Sequence, residues 1–141
     1  MQFICDAGDL TWFRLETPGE AGAESRDMGH AVERYFRDAH EKAVASYAPP
    51  KGAPISEQNI GLKDHIKQTM PMFLTLRDRE GKAQVTAMLP PAGKDERAFR
   101  PIVVGPANAD PYPKHRHAIE ALAAQFSFEL DPERCFPYRR G

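Results

Sequence analysis

The chain has 141 residues, of which 41% are hydrophobic and 28% charged, and its formal net charge is −1. This length predicts a single domain over 1–141. The balanced charge argues against nucleic acid as a partner, because the two basic clusters, at 114–117 and at Arg139–Arg140, are short. No run approaches the roughly 18 apolar residues of a membrane span and no secretion signal is evident, so we expect a cytoplasmic protein that does not engage a membrane.

An N-terminal hairpin is predicted from two short runs of β-prone residues, over 2–6 and 10–16. Side chains alternate between the faces of a strand, so Phe3 and Cys5 are expected to share one face of the first strand. In the second strand, Phe13 and Leu15 are expected to share one face, with Trp12 on the other.

The segment from Thr17 to Tyr47 is typical of one long amphipathic helix. Thr17, Pro18 and Glu20 form a capping box with proline at the first helical position. Apolar residues then recur three or four apart. They are Met28, Val32, Tyr35, Phe36, Ala39, Ala43, Val44 and Tyr47.

Such a helix is too long for its own domain. Thirty residues span roughly 45 Å at about 1.5 Å per residue, whereas a domain of this size is only about 37 Å across. The helix must therefore break, with Gly22 or Gly29 as the weak points, or a second subunit must cover its end. The second possibility predicts a homodimer through the 18–47 helix.

A proline-rich linker at 48–54 is predicted to follow the long helix. The next predicted helix runs from about 61 to 69, with Asn59 as a candidate cap and Pro71 as its stop. A hairpin then follows, formed by 72–77 and 83–89.

In this hairpin, Met72, Leu74 and Leu76 are expected to meet Val85, Ala87 and Leu89 on one face.

Proline and glycine at 90–93 open a predicted loop that reaches about residue 98, before a short buried strand over 100–104. A last helix is expected to begin after Asp110. The order ββααβββα predicts an α+β fold, with a mostly antiparallel sheet of about five strands packed by one long and two shorter helices.

The best candidate site is the loop that joins the last strand to the last helix. It leaves a buried strand and enters a helix N-terminus, where free amides and the helix dipole favour an anion. The candidate ligand-binding residues are Asn108, Asp110, Lys114, His115 and His117. Each also has a structural interpretation, since turns and helix caps favour Asn and Asp and His115 falls on the apolar face of the predicted helix.

The same segment offers a metal-site alternative, in which Asp110, His115 and His117 would form a three-ligand hydrolytic centre. The two histidines diverge by about 200° on a helix, so the helix would have to begin after them. His30 and His40 are expected on the surface of the long helix, and Glu20 and Glu24 are interpreted as favourable charges in the first turns of a helix.

These patterns favour a non-enzymatic binding or regulatory module that self-associates and whose partner is a protein or a small anion. The alternative is a small enzyme, in one version a metal-dependent hydrolase, that uses the Asp110–His117 segment. The sequence identifies no cofactor and contains neither a serine-nucleophile elbow nor a phosphate-binding glycine loop.

Overall fold

The computed structural model describes residues 1–91, 94 and 99–136. Within them, five strands form one antiparallel sheet and four α-helices pack around it, which confirms the predicted α+β class. The strands are β1 (Gln2–Ala7), β2 (Leu10–Arg14), β3 (Met72–Arg77), β4 (Ala83–Leu89) and β5 (Ile102–Val104). The helices are α1 (Pro18–Met28), α2 (Val32–Ala45), α3 (Ile55–Thr69) and α4 (Tyr112–Gln125).

The sheet follows the chain in the order β1-β2-β3-β4-β5, with the first three helices inserted between β2 and β3. One face carries the larger core, in which α4 packs on the sheet through Ile119 and Leu122. The opposite face is covered by α1 and α2, where Phe36 lies against Phe73 with ring centroids 5.0 Å apart. The sheet therefore has apolar side chains on both faces, unlike an antiparallel sheet with one solvated face.

The predicted hairpin is confirmed in both strands and register. Met72 pairs with Leu89, Leu74 with Ala87 and Leu76 with Val85, and none of these residues is more than 1% exposed.

Trp12 is fully buried in the same core, and its indole nitrogen donates a hydrogen bond to the carbonyl oxygen of Ala118 at 2.8 Å. This bond ties β2 to α4.

The predicted facing of β1 is wrong because the strand contains a bulge. Phe3 pairs with Phe13, but two residues later Cys5 pairs with Trp12, so one extra residue lies in β1. The extra residue moves Phe3 and Cys5 to opposite faces. Phe3 is 57% exposed, whereas Cys5 packs against the larger core.

The long helix breaks at Gly29, one of the two positions predicted to be weak. Gly29 takes the left-handed conformation (φ 67°) and its amide donates to the carbonyl of Ser25, which ends α1. The capping box at Thr17 is confirmed. Because neither α1 nor α2 exceeds the domain, the length argument for self-association no longer applies, and the homodimer stays a prediction.

Helix α3 begins at Ile55, earlier than predicted, so Asn59 lies inside the helix and is not its cap. No residue of α3 is buried. The helix packs beside α2, where the ring of Tyr47 lies 5.4 Å from that of His65.

The last strand is shorter than predicted, and α4 begins at Tyr112, whose amide donates to the Asp110 carboxylate at 2.9 Å. The predicted loop at 90–98 falls largely, and the basic pair Arg139–Arg140 wholly, outside the described residues. In the described part of the chain, no helix combines the length and hydropathy needed to cross a bilayer.

Candidate functional site

The structure describes all five predicted ligand-binding residues, in the loop before α4 and on α4 itself. Asn108 lines a groove beside β5, whereas the Asp110 carboxylate accepts the amide of Tyr112. Lys114 and His117 are exposed on α4, and His115 is half-buried. Ligand binding by these residues stays a prediction, and Asn108 is the member that borders a described cavity.

The backbone departs from helical geometry at His115 (φ −125°), so α4 contains a kink between its first turn and the rest. Burial lowers the pKa of His115, and the neighbouring Lys114 lowers it further. Among the described residues, no three His, Cys, Asp or Glu side chains lie close enough to hold a metal ion. The residues of the metal alternative are thus not gathered into a ligand set.

A buried polar cluster instead lies between α1 and the sheet, centred on the fully buried Glu24. One carboxylate oxygen accepts hydrogen bonds from the Thr75 hydroxyl at 2.9 Å and from the Arg77 guanidinium at 2.8 Å. The other oxygen accepts the hydroxyl of Thr86. Both oxygens are therefore satisfied, as a buried charge requires.

The cluster continues from the sheet into the turn between α1 and α2. The Nε2 atom of His30 lies 2.9 Å from the Thr86 hydroxyl, and its Nδ1 atom lies 3.2 Å from the hydroxyl of Ser25. The Ser25 oxygen also accepts the amide of Glu33 at 2.8 Å. We call these residues the Glu24 network: Glu24, Ser25, His30, Thr75, Arg77 and Thr86.

The donors and acceptors of this network determine which atoms carry its protons. The Thr86 hydroxyl gives its proton to Glu24, so its oxygen accepts from His30 Nε2–H. His30 Nδ1 is then the acceptor for Ser25. Burial lowers the pKa of His30, although the nearby Glu24 carboxylate acts in the opposite direction. The neutral imidazole is therefore the form that this arrangement holds.

An apolar groove of about 450 Å³ lies next to the network on the same face of the sheet. Thr86 belongs to the network and Met88, two residues along β4, lines the groove. Because Met88 pairs with Ile102, the two side chains form the groove's floor. Tyr35 of α2 and Phe136 are aromatic walls that remain 53% and 44% exposed. We call this cavity the α2–β5 groove.

Two polar side chains, Arg100 and Asn108, also line the α2–β5 groove. Asn108 belongs to a tight loop closed by a 2.8 Å bond from the Gly105 amide to the Ala109 carbonyl. Ala107 and Asn108 are both left-handed, with φ of 56° and 61°. This conformation costs roughly 1 kcal/mol for alanine, and such strain recurs at functional sites.

The chain matches no family model, no curated protein and no solved structure. The geometry of the site is therefore the basis for assigning a function.

The sequence prediction missed the Glu24 network and the α2–β5 groove. Glu24 stands four residues before Met28 and three after Ala21, so it lies on the buried stripe of α1. A carboxylate at such a position was a usable signal of a buried polar contact. Thr75 and Thr86 are directly paired, and their neighbours over 72–76 and 85–89 are all apolar, which was a second signal. No comparable pattern marks the groove, because its walls come from distant segments.

Proposed function

We propose that this protein is a non-enzymatic binding module whose ligand is a small amphiphile with one anionic end, held in the α2–β5 groove. The observation that carries the proposal is a mostly apolar cavity of about 450 Å³ with a few polar groups at its border. That size and composition are typical of small-molecule sites, which usually occupy 300–1,000 Å³.

The lining of the groove favours a ligand with two distinct parts. Met88 and Ile102 offer an aliphatic floor, and the exposed rings of Tyr35 and Phe136 can stack on a flat apolar body. A guanidinium group matches the geometry of a carboxylate or sulfonate, and an amide group can donate a further hydrogen bond. Arg100 and Asn108 supply these groups.

The same lining favours binding over catalysis. Of the described residues around the groove, none is Ser, Cys, His, Asp or Glu. These types provide most nucleophiles and general acids or bases. Apart from the phenol of Tyr35, the described side chains of the lining would therefore orient a ligand without offering proton transfer or covalent attack.

Naphthalenesulfonate is a suitable probe, because it combines a flat apolar body with one permanent negative charge. A titration of the protein with this probe, monitored through the amide chemical shifts, should give a Kd of about 1 mM or tighter. The shifted amides should cluster at Tyr35, Met88, Ile102 and Asn108. Naphthylmethanol, which lacks the charge and therefore a charge-assisted hydrogen bond, should bind about fivefold more weakly.

A matched pair of variants tests the location. Tyr35→Ala should weaken binding about fivefold, because an aromatic contact contributes about 1 kcal/mol. Phe3→Ala removes a similarly exposed ring from the opposite edge of the sheet and should leave the affinity unchanged. Equal effects of the two variants, or shifts clustered away from the groove, would refute the proposal.

A further inference from the structure

Helix α2 begins without a cap of its own. Ala31 stands at the N-cap position and makes no side-chain hydrogen bond to the helix. The free amides of the first turn instead find partners in the Glu24 network. The amide of Val32 donates to His30 Nδ1 at 3.3 Å, and that of Glu33 donates to the Ser25 hydroxyl. Side chains that precede the helix therefore perform the capping role.

The bond from the Val32 amide requires an unprotonated Nδ1 and therefore, with Nε2 protonated, a neutral His30. In that form Nε2–H donates to Thr86 and Nδ1 accepts, which suits both the Ser25 hydroxyl and the Val32 amide. Protonation would place a hydrogen on Nδ1 that faces the Val32 amide, so two donors would oppose each other. It would also bring a positive charge to a helix N-terminus, where the dipole already has its positive end.

Charged groups of both signs surround His30. Glu24 of α1 attracts a proton to the ring, but Arg77 of β3 is paired with Glu24 and offsets that attraction. Arg26, Glu33 and Arg37 line a shallow pocket together with His30, and Glu33 is itself paired with Arg37. These charges largely offset each other, so desolvation of the half-buried ring is the dominant influence and favours the neutral form.

The first turns of α2 also form one wall of the α2–β5 groove, because Ala31, Val32 and Tyr35 line it. We propose that neutral His30 is a positioning residue for this wall, and that its protonation loosens the start of α2 and weakens ligand binding in the groove. The part of this inference that concerns the ligand rests on the function proposed above.

The first test measures naphthalenesulfonate affinity at about pH 7.5 and about pH 5, on either side of the ordinary histidine pKa of about 6.5. The sulfonate keeps its charge at both values. The affinity of the unaltered protein should fall about fivefold on acidification. His30→Asn keeps an acceptor near the Nδ1 position and should bind with little pH dependence.

His40→Asn is the matched control. His40 also lies on α2, half-buried, but it stacks on Phe36 and does not line the groove. This variant should keep the pH dependence of the unaltered protein. If His30→Asn keeps the pH dependence, the inference is overturned whatever His40→Asn does.

A second readout needs no ligand. The amide shifts of Ala31, Val32 and Tyr35 should follow one protonation step with a midpoint below about 6.5, and this step should vanish in His30→Asn. If the amides titrate but the probe binds at neither pH, the ligand proposal fails and the positioning role is upheld. If the amides do not titrate, the positioning role is overturned whatever the probe does.

Discussion

We expect the Glu24 network to contribute strongly to the free energy of unfolding. Glu24→Gln keeps the shape of the side chain but removes its charge, and its NH2 group places donors either opposite the Thr86 hydroxyl or opposite the Thr75 hydroxyl and the Arg77 guanidinium. Breaking a fully buried ion pair costs about 3–5 kcal/mol. Because the Arg77 side chain is 17% exposed and can regain some hydration, we expect about 3 kcal/mol, at the lower end of that range.

Urea unfolding followed by the fluorescence of the buried Trp12 measures this change. With a denaturant slope of about 1.5 kcal/mol per molar urea, the transition midpoint should fall by about 2 M. Glu33→Gln is the matched control, since it removes a carboxylate from a partly exposed pair within α2. The control should cost no more than about 0.5 kcal/mol.

The double variant Glu24→Gln, Arg77→Met separates the unpaired charge from the rest of the network. It should be less destabilised than the sum of the two single variants, because no buried guanidinium is then left without its carboxylate. A loss below about 1 kcal/mol for Glu24→Gln, or additive effects in the double variant, would refute the view that this network holds α1 on the sheet.

Three further predictions concern the packing of α3, the pH dependence of stability and self-association. Gly61→Ala would bring its Cβ into collision with the Tyr47 hydroxyl, the far end of a half-buried side chain that can move aside, while alanine exceeds glycine in helix propensity by about 1 kcal/mol. Urea unfolding should therefore show a change of no more than about 1 kcal/mol; a larger loss would show that Tyr47 is held in place. The pKa of His30 is lowered in the folded state, so below about pH 6.5 the unfolded chain binds more protons and stability should fall on acidification. His30→Asn should remove this contribution, and the same decline in both proteins would contradict it. If the predicted homodimer through 18–47 forms, light scattering at tens of micromolar protein should give a mass of twice 15.8 kDa. Val44→Asp, at a 40% exposed position, should halve that mass without unfolding the protein. A single-chain mass for the unaltered protein across this range would refute the homodimer.

Local signals in the sequence predicted much of the fold. The capping box at Thr17 and the apolar alternation of the β3–β4 hairpin act within a few residues, and both are confirmed. Gly29 was one of two possible break points. The structure selects it because the left-handed conformation at Gly29 closes α1 with a bond to Ser25.

Gly22 stays helical, and a Cβ there would lie 3.1 Å from the Glu33 carboxylate. The absence of a side chain at this position therefore lets α2 lie close to α1. Nothing within either helix alone reveals this contact.

The amino-acid sequence alone therefore determined the class of fold, the main turns and the apolar face of the β3–β4 hairpin, because these depend on spacing and on conformational preferences of single residues. The tertiary structure decided the burial of Glu24, since a carboxylate on a helix is equally suited to water until two threonines and an arginine from the sheet meet it. It also decided the groove, whose walls come from α2, β4, β5 and the Asn108 loop. Such sites arise from the packing of distant segments, for which the sequence carries no local periodicity.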